Sequence, residues 1–358
     1  MKCCLKYEGL SMKIISIIVP IRNEEKYIKE CIESIINFDY PKEFLEVIFV
    51  DGVSEDKTIE IIESYQKRYP YIKIINNEKK IVPIAMNLAI KASIGEYICR
   101  LDAHAKYPSD YLTTLLKWSQ KLDADNVGAV CITDIKSDNN TAKAIQFVMS
   151  DKFGVGNSLF RLGVKKPLEV DTVPFGFYKK EVFEQIGLYD ERLVRTQDLE
   201  LNKRLKKHDG KIYLIPDVEC IYYPRENYKS FFKNRFETGR WVMLSSYFTN
   251  SLKSISIRHI VPLFFSLALI FSFLLGLFEE MFIYLFGFIL LGYCGILFVR
   301  ALNIKKDFLL ALNILIGYFV LHFSYGLGSM KGIAEIIKMK LSQNKNKISK
   351  IHIMWKRG

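Results

Sequence analysis

The chain has 358 residues, a formal net charge of +12 and 25% charged residues, yet half of it is hydrophobic and its mean hydropathy is +0.09. That length allows one large domain or two ordinary ones, and high charge combined with positive hydropathy excludes a uniform soluble composition. The seven cysteines are scattered with no CxxC pair and no metal-ligand spacing, which argues against structural zinc or a disulfide framework and fits a reduced cytosolic setting.

The start, MKCCLKYEGLSMK, lacks the apolar core and small-residue cleavage site of a secretory signal peptide. Cys3 and Cys4 are read as plain thiols. Ile14–Val19 is an apolar run closed by Pro20, and Asn23 is placed to cap a helix whose Ile28, Cys31, Ile32, Ile35 and Ile36 recur at helical spacing. Glu46–Val50 predicts a second strand ending at Asp51. Asp56 is placed to cap the next helix, with Ile59, Ile62 and Tyr65 on one face. Lys73–Ile75 reads as a third strand, Ile84–Ala92 as a short helix, and Glu96–Leu101 as a fourth strand that stops abruptly at Asp102-Ala-His104. A helix at Tyr111–Leu122 and a strand at Val127–Thr133 follow. Asp151–Asp171, rich in Gly and Lys, reads as irregular.

This alternation predicts an α/β fold, a parallel sheet covered by helices. Ligands of such sheets bind beyond the carboxyl ends of the strands. Pro20-Ile-Arg22, Asp51-Gly52 and Asp102-Ala-His104 all occupy those ends and are expected to converge on one crevice.

The C-terminal third has a different texture. Asn227–Tyr247, rich in aromatic and basic residues, predicts a helix lying on a membrane surface. From His259 to Val299 the only full charges are Glu279 and Glu280, and from Phe308 to Met330 there are none. A membrane-spanning helix needs about 20 residues. Ile260–Phe278 and Met281–Val299 therefore read as a helical hairpin with the two glutamates at its tip, and Phe308–Gly328 as a third membrane segment. Core helices of a soluble protein are the weaker alternative on length and charge. From Lys331 onward there are eight Lys or Arg against one Glu, a tail suited to anionic headgroups. Nucleic acid is not the expected partner, because the charge lies on no recognisable binding motif. The expected boundaries are 12–225 for the globular domain, 226–258 for an amphipathic linker, 259–330 for the membrane region and 331–358 for the basic tail.

There is no GxxxxGK[ST] loop and no GxGxxG after the first strand. A nucleotide on this sheet would then need a divalent cation at its phosphates, and Asp102 and His104 are the available ligands. Five segments carry a resemblance: VPIRNEE (19–25), VDGVSEDKT (50–58), RLDAHAKYP (100–108), TQDLEL (196–201) and ETGRW (237–241). In order and spacing they resemble the motif series of family 2 glycosyltransferases, in particular membrane-bound exopolysaccharide glucosyltransferases of the succinoglycan-biosynthesis type. The likeness runs from about Lys13 to Trp241.

The resemblance implies a GT-A-like, Rossmann-type sandwich followed by C-terminal membrane helices. It implies that Pro20, Arg22 and Glu24 wrap a nucleoside, that Asp51 contacts its base and that Asp102 serves the diphosphate and its metal. Asp56 is the exception, read as a helix cap rather than a ligand contact. His104 stands where the family carries a final acid. Imidazole suits Mn2+ better than Mg2+, so either His104 binds the metal or it donates to a phosphate while Asp102 holds the ion. A structural Asp–His pair is the weaker alternative. Asp198 aligns with the family's general base, after Gln197 in place of an acid, and a lone carboxylate there implies single displacement with inversion. Without the other motifs, Asp198 and Glu200 would read as the solvated face of a charged helix. In ETGRW, Glu237 replaces a glutamine, Arg240 is expected to pair with the diphosphate and Trp241 to line the acceptor path, with interfacial anchoring as the alternative. Asp171 is expected to meet a sugar hydroxyl, and Gly176 to allow close backbone approach. His208, His259, His322 and His352 are taken as ordinary.

The expected activity is transfer of a hexose, glucose first, from a UDP-sugar to a lipid-linked, polyprenyl-type saccharide in exopolysaccharide or envelope glycan synthesis. The cofactor is a divalent cation, Mn2+ or Mg2+. The expected location is the cell membrane, multi-pass, with the catalytic domain cytoplasmic. Three full spans would put the Lys-rich tail outside, against the positive-inside tendency, so the third segment is re-entrant or interfacial, or the rule is broken. The basic loop Arg300–Lys306 favours an inside position after the hairpin. A processive synthase needs a channel that three apolar segments hardly provide. A membrane scaffold with a decayed transferase site is supported only by His104 and Gln197.

Overall fold

A computed structural model describes the backbone of residues 10–249 and 255–355, with side chains up to residue 342. Cys3, Cys4 and the His352 side chain lie outside the described residues. The chain divides into two compact units. The first comprises residues up to Lys136 together with Met149–Pro224, and the second comprises Ser137–Val148 and the chain from Arg225 onward.

In chain order the elements are β1 (Ile15–Ile21), α1 (Ile28–Ile36), β2 (Leu45–Asp51), α2 (Thr58–Gln66), β3 (Ile72–Asn76), α3 (Val82–Ala92) and β4 (Tyr97–Arg100). Next come β5 (Ala105–Lys106), α4 (Tyr111–Leu122), β6 (Asn126–Thr133), α5 (Asn140–Ser150), α6 (Lys152–Val155), α7 (Leu159–Leu162) and β7 (Leu168–Glu169). The first unit closes with β8 (Phe177–Lys179), α8 (Glu181–Ile186), α9 (Gln197–Lys207) and β9 (Ile212–Tyr222).

The nine strands form one mixed sheet in the order β3-β2-β1-β4-β8-β6-β9-β5, with β7 also on β9. The strands β3, β2, β1 and β4 run parallel, as do β6 and β9. Short β8 runs antiparallel between β4 and β6. Alternate residues of each strand feed opposite faces. Ile15, Ile17, Val19, Val47 and Phe49 meet α1 and α4, while Ile18, Ile48, Val50 and Ile98 meet α3, α8 and α9. A sheet buried on both faces explains why β1 and β2 read as near-continuous apolar runs.

Two local expectations fail for physical reasons. Asn23 does not cap α1. Its backbone turns through φ +53°, its Oδ1 accepts from Glu55 N at 2.8 Å, and the helix starts only at Ile28 with no side-chain cap. No strand is expected from the sequence after Thr133, yet β9 is 11 residues long. Pro216 argues against a central strand, and the sheet accommodates it where the β6–β9 register shifts, opposite Ala129 and Val130.

One buried carboxylate sits between β1, β2 and β3. Glu46, 3% exposed, accepts from Ser16 Oγ at 2.5 Å, Lys73 Nζ at 2.7 Å and Ile94 N at 2.9 Å. Burial alone would raise its pKa, but the lysine, hydroxyl and amide donors outweigh it and hold the carboxyl below the ordinary 4.5. Its contribution to stability is therefore full above that unfolded value and is lost as pH falls through the lower folded one. In thermal melts between pH 6 and 3.5, Glu46→Gln should begin lower, by about 2 kcal/mol, and should decline less on acidification than the parent. Parallel acid limbs would refute this.

The second unit is helical. Asn227 caps α10 (Tyr228–Phe248) by accepting from Ser230 N at 2.9 Å. Then come α11 (Ile257–Gly276), α12 (Glu280–Lys305) and α13 (Phe308–Trp355). Helix α10 buries Phe231, Gly239, Val242, Met243 and Leu244, with Tyr325 of α13 in the same cluster as Val242 and Met243. Ile257–Gly276, Glu280–Lys305 and Phe308–Ser342 are each long and apolar enough to cross a membrane. Phe264, Phe271, Phe278, Phe288 and Leu291 are exposed, as lipid-facing residues of such helices would be. The helix that carries the third apolar segment runs on past Gly328. The same helix continues to Trp355, because nothing in 329–355 breaks it.

Candidate functional site

The loops leaving β1 and β2 are laced together. Both Asp51 oxygens accept from Ser54 N, at 3.0 and 3.2 Å, and Oδ1 also takes Ser54 Oγ at 2.5 Å. Ser54 Oγ in turn accepts from Asn23 N at 2.9 Å. Glu24 N donates to Thr58 Oγ1 at 2.8 Å and Glu25 N to Asp56 Oδ2 at 3.1 Å. Asp56 Oδ1 accepts from Thr58 N at 3.0 Å, so it satisfies the first turn of α2 although Lys57 occupies the cap position. Pro20 lies at the end of β1, and the exposed Arg22 lies over Gly52, whose N–H donates to Ile21 O at 2.8 Å. Left-handed backbone at non-glycine residues marks these loops, at Asn23 (φ +53°) and Val53 (φ +59°), and two others, at Phe175 (φ +49°) and Thr196 (φ +62°). For β-branched Val and Thr this conformation is costly and persists where the surroundings over-determine it, often at functional sites.

Strand β4 ends at the same edge of the sheet, since Ile18 of β1 pairs with Arg100 and Ile21 with Asp51. Arg100 is 7% exposed. Its Nη2 lies 3.0 Å from Asp102 Oδ1, and its Nη1 donates to Asp198 Oδ2. Burial opposes the guanidinium charge, but the two carboxylates outweigh it and hold the group protonated well above its ordinary value. Asp198 belongs to the first turn of α9, where the helix dipole favours a negative charge. Asp198 Oδ1 and Arg100 Nε are both buried and without a hydrogen-bond partner. The phenols of Tyr178 and Tyr189 are pushed up, first by burial and also by the charge of Asp198.

Glu200 does not share this centre. It is bound by Arg204 Nε at 3.0 Å and Nη2 at 2.7 Å, and Arg204 also holds the carbonyls of Ile186 and Leu188. Arg204, oriented by Glu200, thus ties α9 to the end of α8. His104 approaches Glu24, with Nδ1 3.6 Å from Glu24 Oε1, and its ring meets Tyr222 edge-on at 5.8 Å. Asp102 N donates to Tyr107 Oη at 2.8 Å, which pins the turn after β4. Among the described residues no group of three or more His, Cys, Asp or Glu gathers as a metal cage.

Asp171 is exposed between β7 and β8. Gly176 does permit a close approach, but to the protein itself: a Cβ there would collide with the Tyr178 ring and lie 2.7 Å from Asn126 Oδ1, and its carbonyl accepts from Arg100 N at 3.1 Å. Arg240 and Trp241 belong to the second unit. The guanidinium of Arg240 pairs with Glu237 at 3.1 Å and Glu335 at 3.0 Å and stacks on Trp241 at 5.6 Å. That pairing accounts for Glu237.

The structure thus joins Asp102 to Asp198 and Glu24 to His104, and places Pro20, Arg22 and Asp51 at the neighbouring strand exits. The residue that sequence reasoning missed is Arg100. A charge closing an otherwise buried strand was its signal, because a buried arginine must be paired.

The model of glycosyl transferase family 2 matches residues 16–187. The chain is 34% identical over 234 residues to the dolichyl N-acetyl-alpha-D-glucosaminyl phosphate 3-beta-D-2,3-diacetamido-2,3-dideoxy-beta-D-glucuronosyltransferase of Methanococcus voltae, covering 64% of this chain and 72% of that one. It is 30% identical over 227 residues to the succinoglycan biosynthesis protein ExoA of Rhizobium meliloti (strain 1021), covering 63% and 67%. Among solved structures, the mannosyltransferase PcManGT of Pyrobaculum calidifontis, in complex with GDP-Man and Mn2+, superposes with a TM-score of 0.58 over 90% of this chain and 88% of that one, at 14% identity. At that identity the likeness shows the GT-A-like fold alone.

Proposed function

This chain belongs to glycosyl transferase family 2 and is a glycosyltransferase; from that premise we propose that it transfers a hexose, glucose first, from a UDP-sugar to a lipid-linked, polyprenyl-type saccharide with inversion. The observation that carries this reading is Asp198, a carboxylate at a helix N-terminus with one oxygen held by Arg100 and the other buried without a partner. Oδ1 is the atom that takes the proton from the acceptor hydroxyl as that oxygen attacks the anomeric carbon. The new C–O bond forms while the bond from the anomeric carbon to the diphosphate breaks, and the nucleoside diphosphate leaves with the electron pair. One base opposite one leaving group gives inversion, and Glu200, occupied by Arg204, supplies no second nucleophile.

Asp51, Pro20, Arg22 and Glu24 are proposed to line the nucleoside, and Asp171 to meet the sugar. Arg240 already carries two carboxylates, and with Trp241 it is left out of the chemistry. Asp102 and His104 do not make a cage, but they fit an ion that takes its remaining ligands from diphosphate and water. Such an ion, when bound, neutralises charge developing on the leaving diphosphate. The lipid-linked acceptor is supported by three helices long and apolar enough to cross a membrane and by the dolichyl phosphate in the name of the Methanococcus voltae relative. A multi-pass arrangement with the first unit in the cytosol fits the basic residues of Arg300–Lys306.

The test is nucleotide release by the full chain from a panel of UDP- and GDP-sugars, with membrane lipid extract and Mn2+ or Mg2+. UDP-glucose should be turned over in a lipid-dependent manner that a chelator abolishes and added cation restores. Asp102→Asn should lower kcat/KM by roughly 10²-fold, with a higher cation requirement. Release indifferent to lipid, or from no sugar nucleotide, would overturn the proposal.

A further inference from the structure

We propose that Arg100 is a positioning residue for the transfer, a rigid spacer that sets the geometry of the base Asp198 against the donor-side carboxylate Asp102. The inference rests on the reading of Asp198 as the base. Asp198 stands at the start of a helix. Its helix opens at Gln197 after Thr196, a cap residue in the left-handed region that makes no side-chain cap hydrogen bond, and the carboxylate accepts from Arg100. Arg100, by contrast, stands on a central strand. Its N–H donates to Gly176 O at 3.1 Å and the next residue, Leu101, donates to Ile18 O at 3.0 Å.

A guanidinium is planar and carries its donors in a fixed fork. With Nη1 on Asp198 Oδ2 and Nη2 on Asp102 Oδ1, the distance between the two carboxylates is set by the width of that fork. The same grip decides which Asp198 oxygen is free. Oδ2 is engaged, and Oδ1 is left as the buried, unpartnered atom. A sheet strand, a planar cation and two carboxylates from different segments make a jig whose product is the orientation of one lone pair. Lysine offers a single point charge and cannot span both groups in one plane.

The experiment uses the full-length protein and four variants: Arg100→Lys, Arg100→Gln, Asp198→Asn and the double variant Arg100→Gln/Asp198→Asn. Steady-state kinetics give kcat and donor KM, and calorimetry gives the affinity for UDP with Mn2+. Misplacing a reacting group by about 1 Å costs on the order of 10²-fold, so both Arg100 variants should lose about that factor in kcat. Donor KM and UDP affinity should move less than about threefold, since the loss falls on the reacting geometry. In the Asp198→Asn background, Arg100→Gln should add less than about threefold, because a spacer has nothing left to position. Wild-type kcat in Arg100→Lys, losses that multiply in the double variant, or a loss confined to KM and UDP affinity would each overturn the inference. Arg100→Lys keeps the buried charge and decides the matter if Arg100→Gln does not fold. Full activity in Asp198→Asn would remove the base reading itself, whereas an inactive Asp198→Asn beside a fully active Arg100→Lys removes only the spacer.

Discussion

Replacing Asp198 with asparagine should lower kcat by about 10³-fold while leaving nucleotide affinity within about twofold of the parent. The amide is nearly the same size, and its oxygen can still accept from Arg100 Nη1, so the start of α9 should be undisturbed. What is lost is the ability of the second position to take a proton. Asp102 and Glu200 are already engaged. Asp102 shares the same guanidinium, and Glu200 is held at both oxygens by Arg204. The measurement is steady-state turnover beside UDP binding in the same preparation. A kcat within tenfold of the parent would remove Asp198 from the chemistry, and lost nucleotide affinity would make it a structural residue instead.

Much of the first unit is legible in the sequence, for a physical reason. Strands β1, β2 and β4 are buried on both faces, so they appear as apolar runs that end sharply where the polar strand exits begin. Those exits hold Pro20, Arg22, Asp51 and Asp102. What sits between the exits is less legible. Arg100 looks like the last residue of a strand, and only the fold brings Asp198 to it. His104 lies two residues from Asp102 in sequence, yet a turn pinned by Tyr107 directs it toward Glu24 on another loop. Asn23 has the composition of a helix cap but is spent on bonds to Ser54 and Glu55. The later strands are hidden because β8 has 3 residues and β9 carries a proline. The three apolar stretches are plain from composition, whereas the close approach of α10 to α13 depends on packing that hydropathy does not encode.

That packing makes the second large prediction. Gly328→Leu should abolish the native helical unit, seen as loss of monodisperse full-length protein in mild detergent or a melting temperature lower by about 10 °C. Helices α10 and α13 meet backbone to backbone. A Cβ at Gly328 would collide with the Phe236 carbonyl, and one at Gly332 would lie 2.6 Å from the Arg240 carbonyl. From the other side, a Cβ at Gly239 would strike the Tyr325 carbonyl and lie 3.1 Å from Ser329 Oγ. Gly328 and Gly332 are four residues apart, one helical turn, the spacing at which small residues let helices approach closely in lipid. The obstructing atoms are main-chain oxygens, which cannot rotate away, so leucine must push the helices apart. Separation would cost the contacts among Val242, Met243 and Tyr325 as well as the Arg240–Glu335 pair, in total about 3 kcal/mol or more. The control is Gly292→Leu in α12, where no atom lies within 4 Å of the new Cβ. It should behave as the parent, being a lipid-facing leucine among others. Equal damage from both substitutions, or none from Gly328→Leu, would mean that close helix contact is not what holds α10 against α13.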